Sequence, residues 1–156
     1  MDYEEITIEN FEYVFTEKEG KIQEVAREVE GEFRSILQNL KNEKNFETTG
    51  RLTAFKTNPP IYRSGAKVKY NSLTEEKFES LKKKFNKLKI GKIKKKKFRK
   101  YVLKGGYEKL SEAWGDIFEA DLDSDDNEFF LQIYVVEDAE DENDLITHLL
   151  VPIEDK

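Results

Sequence analysis

The chain has one histidine, His148, and one tryptophan, Trp114. An imidazole titrates near neutral pH and can hold or move a proton. An indole offers a flat wall on which an aromatic ligand can stack. His148 lies in the apolar run 145–153, which reads as a strand with Ile146, His148 and Leu150 on one face. Trp114 shares a helical face with Tyr107, Leu110, Ile117 and Phe118. Tyr134 sits in the strand-like run 129–136, opposite in direction to Ile133 and Val135, and adds a phenol. Trp114, His148, Tyr134, Tyr107 and Phe118 are therefore the candidate ligand-binding residues: an apolar, aromatic lining with a few polar anchors. Each has a plainer reading beside it, a core tryptophan and a histidine satisfied by its neighbours.

Other chemistries find less support. The sequence has no cysteine, which removes disulfides, thiol catalysis and cysteine metal sites. No second histidine is present to share a transition metal with His148, so no metal site and no cofactor are expected. Asp121, Asp123 and Asp125 alternate like calcium ligands. An EF-hand loop would next need glycine at its sixth position and glutamate at its twelfth, where Asp126 and Gln132 stand. A solvated turn is the expectation. No phosphate-cradling glycine loop or nucleophilic serine motif occurs. His148 is a candidate base only if the protein is an enzyme.

The elements that position these residues follow from periodicity. Residues 5–16 read as a strand. Ile22, Val25, Ala26, Val29, Phe33, Ile36, Leu37 and Leu40 then form one helical apolar stripe. Residues 51–56 and 61–70 read as two strands, separated by Asn58-Pro59-Pro60 because proline supplies no ladder donor. Thr74 is a candidate N-cap for a helix through Phe78, Leu81 and Phe85. The lysine-heavy run 88–103 reads as an edge or half-exposed strand. Gly105 and Gly106 free the backbone for a sharp entry into the helix from Tyr107 to Phe118. Two more strands follow. The order β-α-β-β thus occurs twice, in pseudo-repeats 1–72 and 88–156 joined by a linker helix over 73–87.

With 156 residues the chain is of single-domain size, and it can bury roughly two-thirds of its unfolded surface. Residues 82–104 carry thirteen Lys/Arg and no acid, whereas 108–156 carry seventeen Asp/Glu. The two segments either attract each other or present a partner-binding face, and the 82–104 segment is the candidate contact for a protein partner. Nucleic-acid binding is not expected: the lysines of 94–97, with Phe98 and Tyr101, could contact phosphates and bases, but the chain starts almost directly on its first strand. No signal peptide or run long enough to span a membrane is present, and a cytoplasmic protein is expected.

The residues 98–114 resemble a known pattern: Phe98, Tyr101, Gly105-Gly106-Tyr107 and Leu110-Ser111-Glu112-Ala113-Trp114 are similar to the strand, Gly-Pro-Tyr turn and Leu-x-Glu-Ala-Trp helix of GyrI-like, or effector-binding, domains. Asp144 to Ile153 resembles the closing strand of that family. The resemblance implies an α+β fold with two main helices on a shared antiparallel sheet and a pocket on a pseudo-twofold axis. It also implies binding of hydrophobic, often cationic, drug-like molecules. Some members are fused to DNA-binding modules, a few hydrolyse cyclopropane-containing compounds, and one inhibits DNA gyrase. Gly106 stands here for the family's proline, Gly20-Lys21 for Pro-Tyr in the first half, and His148 for an acidic pocket residue. A histidine attracts cations poorly.

The sequence is thus read as a stand-alone small-molecule-binding protein for hydrophobic, aromatic compounds. Two alternatives stand beside it: a hydrolase of strained or electrophilic toxins, and an interaction protein contacting a macromolecule such as gyrase.

Overall fold

The computed structural model describes residues 2–69, 71–120, 124, 125 and 127–154. The possible calcium ligands Asp121 and Asp123, with Asp126, lie outside them. Among the described residues eight strands form one antiparallel sheet: β1 (Tyr3–Ile8), β2 (Phe11–Glu19), β3 (Thr48–Thr57), β4 (Pro60–Val68), β5 (Lys89–Ile93), β6 (Lys96–Lys104), β7 (Phe130–Val136) and β8 (Ile146–Pro152). Their lateral order is β1-β6-β8-β7-β3-β4-β2-β5. Three helices, α1 (Ile22–Leu40), α2 (Glu75–Lys84) and α3 (Leu110–Ala120), complete the α+β architecture.

Each helix follows from its local sequence. The stripe of α1 buries Val25, Val29, Phe33 and Leu40 against the sheet. Removing the Phe33 ring, which is fully buried, would cost about 3–5 kcal/mol. Thr74 caps α2 by accepting the Lys77 amide at 3.1 Å. Glu75 and Glu76 in its first turn and Lys82 to Lys84 in its last suit the helix dipole. A 3-10 turn, Tyr107–Lys109, leads into α3, which buries Ala113, Trp114 and Ile117.

The runs 5–16 and 88–103 each break where single strands were expected, at Glu9-Asn10 and at Lys94-Lys95. The break has a topological reason. β1 pairs with β6 and β2 with β4 and β5, so β1 and β2 lie toward opposite ends of the sheet. β5 and β6 are separated in the same way. A connection of two residues reaches only about 11 Å. The sheet must therefore curl until its ends approach. Phe11, Tyr13 and Phe15 of β2 accordingly pack in one buried cluster with Phe98 of β6, Leu131 and Leu150. The half-exposed reading of 88–103 fits β5, which is an edge; β6 is covered by β1.

The two halves superpose in register. Gly20 donates its amide to Pro60 at 2.9 Å, and Gly105 donates to Leu145 at the same distance, a shift of 85 positions for donor and acceptor alike. The same shift relates Glu19 opposite Ile61 to Lys104 opposite Ile146. Both glycines have positive φ, 145° and 126°, a region that side chains disfavour. Phe55 pairs with Tyr62 and Tyr134 with Thr147, so β3 maps onto β7 with a shift of 79. Thr53 thus maps onto Gln132, which is also its direct cross-strand partner. The pseudo-twofold axis passes between these two residues.

Candidate functional site

Thr53 and Gln132 face the helix side of the sheet and are buried, with 1% and 8% exposure. A polar chain runs through them. The Trp114 indole donates to Gln132 Oε1 at 2.5 Å, and Gln132 Nε2 donates to the Tyr134 hydroxyl at 3.1 Å. That hydroxyl lies 2.8 Å from Thr53 Oγ1. Either hydroxyl can donate in that contact. On the α1 side, the Tyr62 hydroxyl donates to the Glu30 carboxylate. Burial pushes the Tyr62 phenol far up, helped by Tyr134 and Glu30 and opposed by the Thr53 hydroxyl. Burial also raises Tyr134, and the Glu30 charge adds to it. Both phenols are therefore protonated at neutral pH.

Aromatic rings close over this polar floor. Trp114 and Phe118, four residues apart on α3, stack at 5.6 Å with an angle of 25°. Phe55 meets the indole edge-on at 5.0 Å, and Phe130 packs on Phe55 at 5.5 Å. Phe118 is the outer ring of this stack, 38% exposed, while Trp114 is 8% exposed. Tyr107 stands edge-on to Tyr134 at 5.7 Å. Arg51 lies over the Tyr134 ring, 5.3 Å from its centre, and pairs with Glu137 at 3.2 Å. Thr147, the register partner of Tyr134, is buried, and its hydroxyl has no hydrogen-bond partner among the described residues. Such a group is a ready anchor for a ligand.

Four of the five candidate residues therefore meet on one face: Trp114 with Phe118, Tyr107 with Tyr134, and Trp114 with Tyr134 through Gln132. His148 is placed elsewhere. Thr147, Leu149 and Val151 face the helices, and His148 alternates to the far face of the sheet, opposite Val102 and Ile133. Burial lowers the His148 pKa, Lys100 lowers it further, and Glu4 opposes both.

Glu30, Thr53, Tyr62 and Gln132 were not among the residues singled out from sequence. A signal did exist for two of them. Thr53 and Gln132 are polar residues inside otherwise apolar stretches, Leu52-Thr53-Ala54-Phe55 and Phe130-Leu131-Gln132-Ile133. Glu30 gave none, because a glutamate on the flank of an amphipathic helix is ordinarily solvated.

Among the described residues the basic segment 82–104 pairs with acids of both halves. Lys84, Lys87, Lys89, Lys95 and Lys100 reach Glu43, Glu32, Glu17, Glu9 and Glu4 of the first half. Lys96 pairs with Asp125. The curled sheet brings β5 and β6 beside β2, α1 and β1, which is why the early glutamates are the nearer partners. Among the described residues no His, Asp or Glu cluster suited to a metal occurs, and no helix is long and apolar enough to cross a membrane.

The single antiparallel sheet of two equivalent halves with its flanking helices has the GyrI-like, or effector-binding-domain, fold. It is similar to SAV2435 bound to tetraphenylphosphonium (TM-score 0.69, 13% identity, covering 99% of this chain and 94% of that one). It is equally similar to the C-terminal domain of EcmrR (TM-score 0.69, 12% identity, 99% of both chains). A hydrolase from Listeria innocua also shares the fold (TM-score 0.62, 14% identity, 97% and 91%). No protein-family model matches the sequence, and no curated protein matches it.

Proposed function

We propose that the chain is a single effector-binding domain of two pseudo-repeats that takes up hydrophobic aromatic molecules, cationic ones preferentially, at its axial site. The observation that carries this reading is the Glu30 carboxylate, held by Tyr62 on one side of a buried polar chain whose other side ends on Trp114, itself packed against Phe118 and Phe55. A carboxylate at the border of an apolar site is poorly solvated, so a cation that replaces its lost hydration gains more there than at an exposed acid. Aromatic rings on the ligand would exchange stacking partners with Trp114 and Phe118. The stack is closed, so entry requires the half-exposed Phe118 ring to swing outward. The neighbour that holds tetraphenylphosphonium, an aromatic cation, supports the same ligand class.

The direct experiment is a titration with tetraphenylphosphonium followed by Trp114 fluorescence. Trp114 is the only tryptophan, so the signal reports this site alone. A saturable change is expected. The reading fails if neither fluorescence nor melting temperature responds to a panel of hydrophobic cations and neutral aromatics.

A hydrolytic role is the second reading. It rests on the contact between Glu30 and Tyr62, a base beside a phenolic donor, and on the fold shared with a hydrolase. In this reading the base is Glu30, since His148 is on the other face. Turnover of a strained cyclopropane electrophile that disappears in Glu30→Gln would support it.

A further inference from the structure

The symmetry of the frame singles out Arg51. The shift of 79 that maps Phe55 onto Tyr134 also maps Arg51 onto Phe130. Phe130 packs on Phe55 with ring centres 5.5 Å apart, and the Arg51 guanidinium lies 5.3 Å from the centre of the Tyr134 ring. One half thus covers its floor ring with a phenyl group, the other with a cation. Glu30 and Arg51 act on the same phenol in opposite senses: the Glu30 charge raises the Tyr134 pKa and the Arg51 charge lowers it. The two do not pair with each other. Glu30 accepts from Tyr62, and Arg51 reaches Glu137 through Nη1 at 3.2 Å. A guanidinium carries five N–H donors, and this is the one hydrogen bond that the Arg51 side chain makes among the described residues.

A cavity of about 420 Å³ adjoins Arg51, between α1 and the start of β3. Arg34, Leu37 and Lys41 line it from α1, and Ala66, the register partner of Arg51, lines it from the sheet. Arg51 shares the helix face of β3 with Thr53 and Phe55, so Arg34 and Arg51 border the cavity from facing walls. Positions 30, 34, 37 and 41 follow each other at helical spacing. Glu30 and Arg34 therefore lie on one flank of α1, a single turn of about 5.4 Å apart. The Arg34 side chain has no hydrogen-bond or ion-pair partner among the described residues. Of the two acids in the lining, Glu137 is held by Arg51 and Asp138 is exposed.

We infer that the axial site has a second arm for a carboxylate, so that its preferred ligand is an aromatic cation carrying a short carboxylate tail. The inference rests on the axial reading and names its ligand class more closely. The cation lies toward Glu30, and the tail runs along the flank of α1 to the cavity, a spacing that a short alkyl chain covers. Arg51 and Arg34 donate to the tail through charge-assisted hydrogen bonds. Without such donors a carboxylate is unwelcome here, since it faces Glu30 and a chain of net charge −6.

Calorimetric titration of the full chain with (4-carboxybutyl)triphenylphosphonium and with pentyltriphenylphosphonium tests the inference. The two share cation and chain length and differ in the terminal carboxylate. The carboxylate compound is expected to bind about tenfold tighter. This ratio should fall toward one in Arg34→Gln/Arg51→Gln and partway in Arg34→Gln, while Arg51→Lys keeps part of it. Because each variant is judged by the ratio of two ligands, a general loss of affinity or stability does not imitate the effect. Binding of the pentyl cation with no preference for the carboxylate overturns the inference and leaves the axial reading standing. A preference that the double variant retains does the same. Where the double variant binds neither ligand, an unchanged ratio in Arg34→Gln overturns it. Failure of both compounds to bind the parent chain overturns the axial reading and this inference with it.

Discussion

Thr53 and Gln132 are at once direct cross-strand partners and equivalents of each other across the pseudo-twofold axis. Two halves of unlike sequence therefore place two polar, buried side chains on the symmetry axis. One half adds an acid through Tyr62 and Glu30, the other an indole through Trp114. This asymmetry on a symmetric frame gives the site a charged side and an aromatic side.

Charge selectivity should follow Glu30. Glu30→Gln keeps an acceptor for Tyr62 and removes the charge. Affinity for tetraphenylphosphonium should fall about tenfold, while that for neutral triphenylphosphine oxide should change little. Calorimetric titration of both ligands measures the difference. Equal losses for the two would show that Glu30 acts through packing alone.

The bond between Trp114 and Gln132 should matter to folding. Trp114→Phe leaves Gln132 Oε1 buried without its donor and should cost about 1–3 kcal/mol from that group, beyond lost packing. Adding Gln132→Leu should recover part of this loss. Urea unfolding of the two single variants and the double variant gives the coupling directly. Strictly additive losses would contradict it.

The two turn glycines should differ in tolerance. A methyl group at Gly20 would meet Val25 Cγ1 at 2.6 Å, whereas at Gly105 the nearest atom is Lys109 Nζ at 2.8 Å. Val25 is fixed in the core and Lys109 is exposed and flexible. Both alanine variants pay a backbone penalty of about 1–2 kcal/mol, and Gly20→Ala adds overlap to it. Its melting temperature should be the lower of the two.

His148 should make stability sensitive to mild acid. Its pKa is lowered in the fold by burial and by Lys100, so the unfolded chain takes up a proton before the folded one does. This contribution is fully present above the unfolded value of about 6.5. It is lost as pH falls from there through the lowered folded pKa. Stability measured against pH in this window should decline less in His148→Gln than in the parent. Identical slopes would show that His148 does not titrate differently in the two states.

Secondary structure was largely legible because it depends on neighbours in sequence. The α1 stripe, the Thr74 cap and the glycine turn at Gly105 are each decided within a few residues, by apolar periodicity, a side-chain acceptor and a positive φ. The aromatic half of the site was legible for the same reason. Trp114 and Phe118 are one helical turn apart, and the opposed faces of Tyr134 and Ile133 follow from strand alternation.

Partnership across the sheet was not legible. Nothing near Glu9-Asn10 or Lys94-Lys95 says that the strands on either side go to opposite ends of the sheet. That depends on closing long loops and burying Phe11, Phe15 and Phe98 together. The sequence determined which faces are apolar, which helices form and which residues carry aromatic surface, since these are properties of short segments. The tertiary structure decided that His148 lies away from Trp114 and that Glu30 approaches the axis. Each of those depends on the register between strands distant in the chain, and a shift of one residue in that register would turn every side chain to the other face.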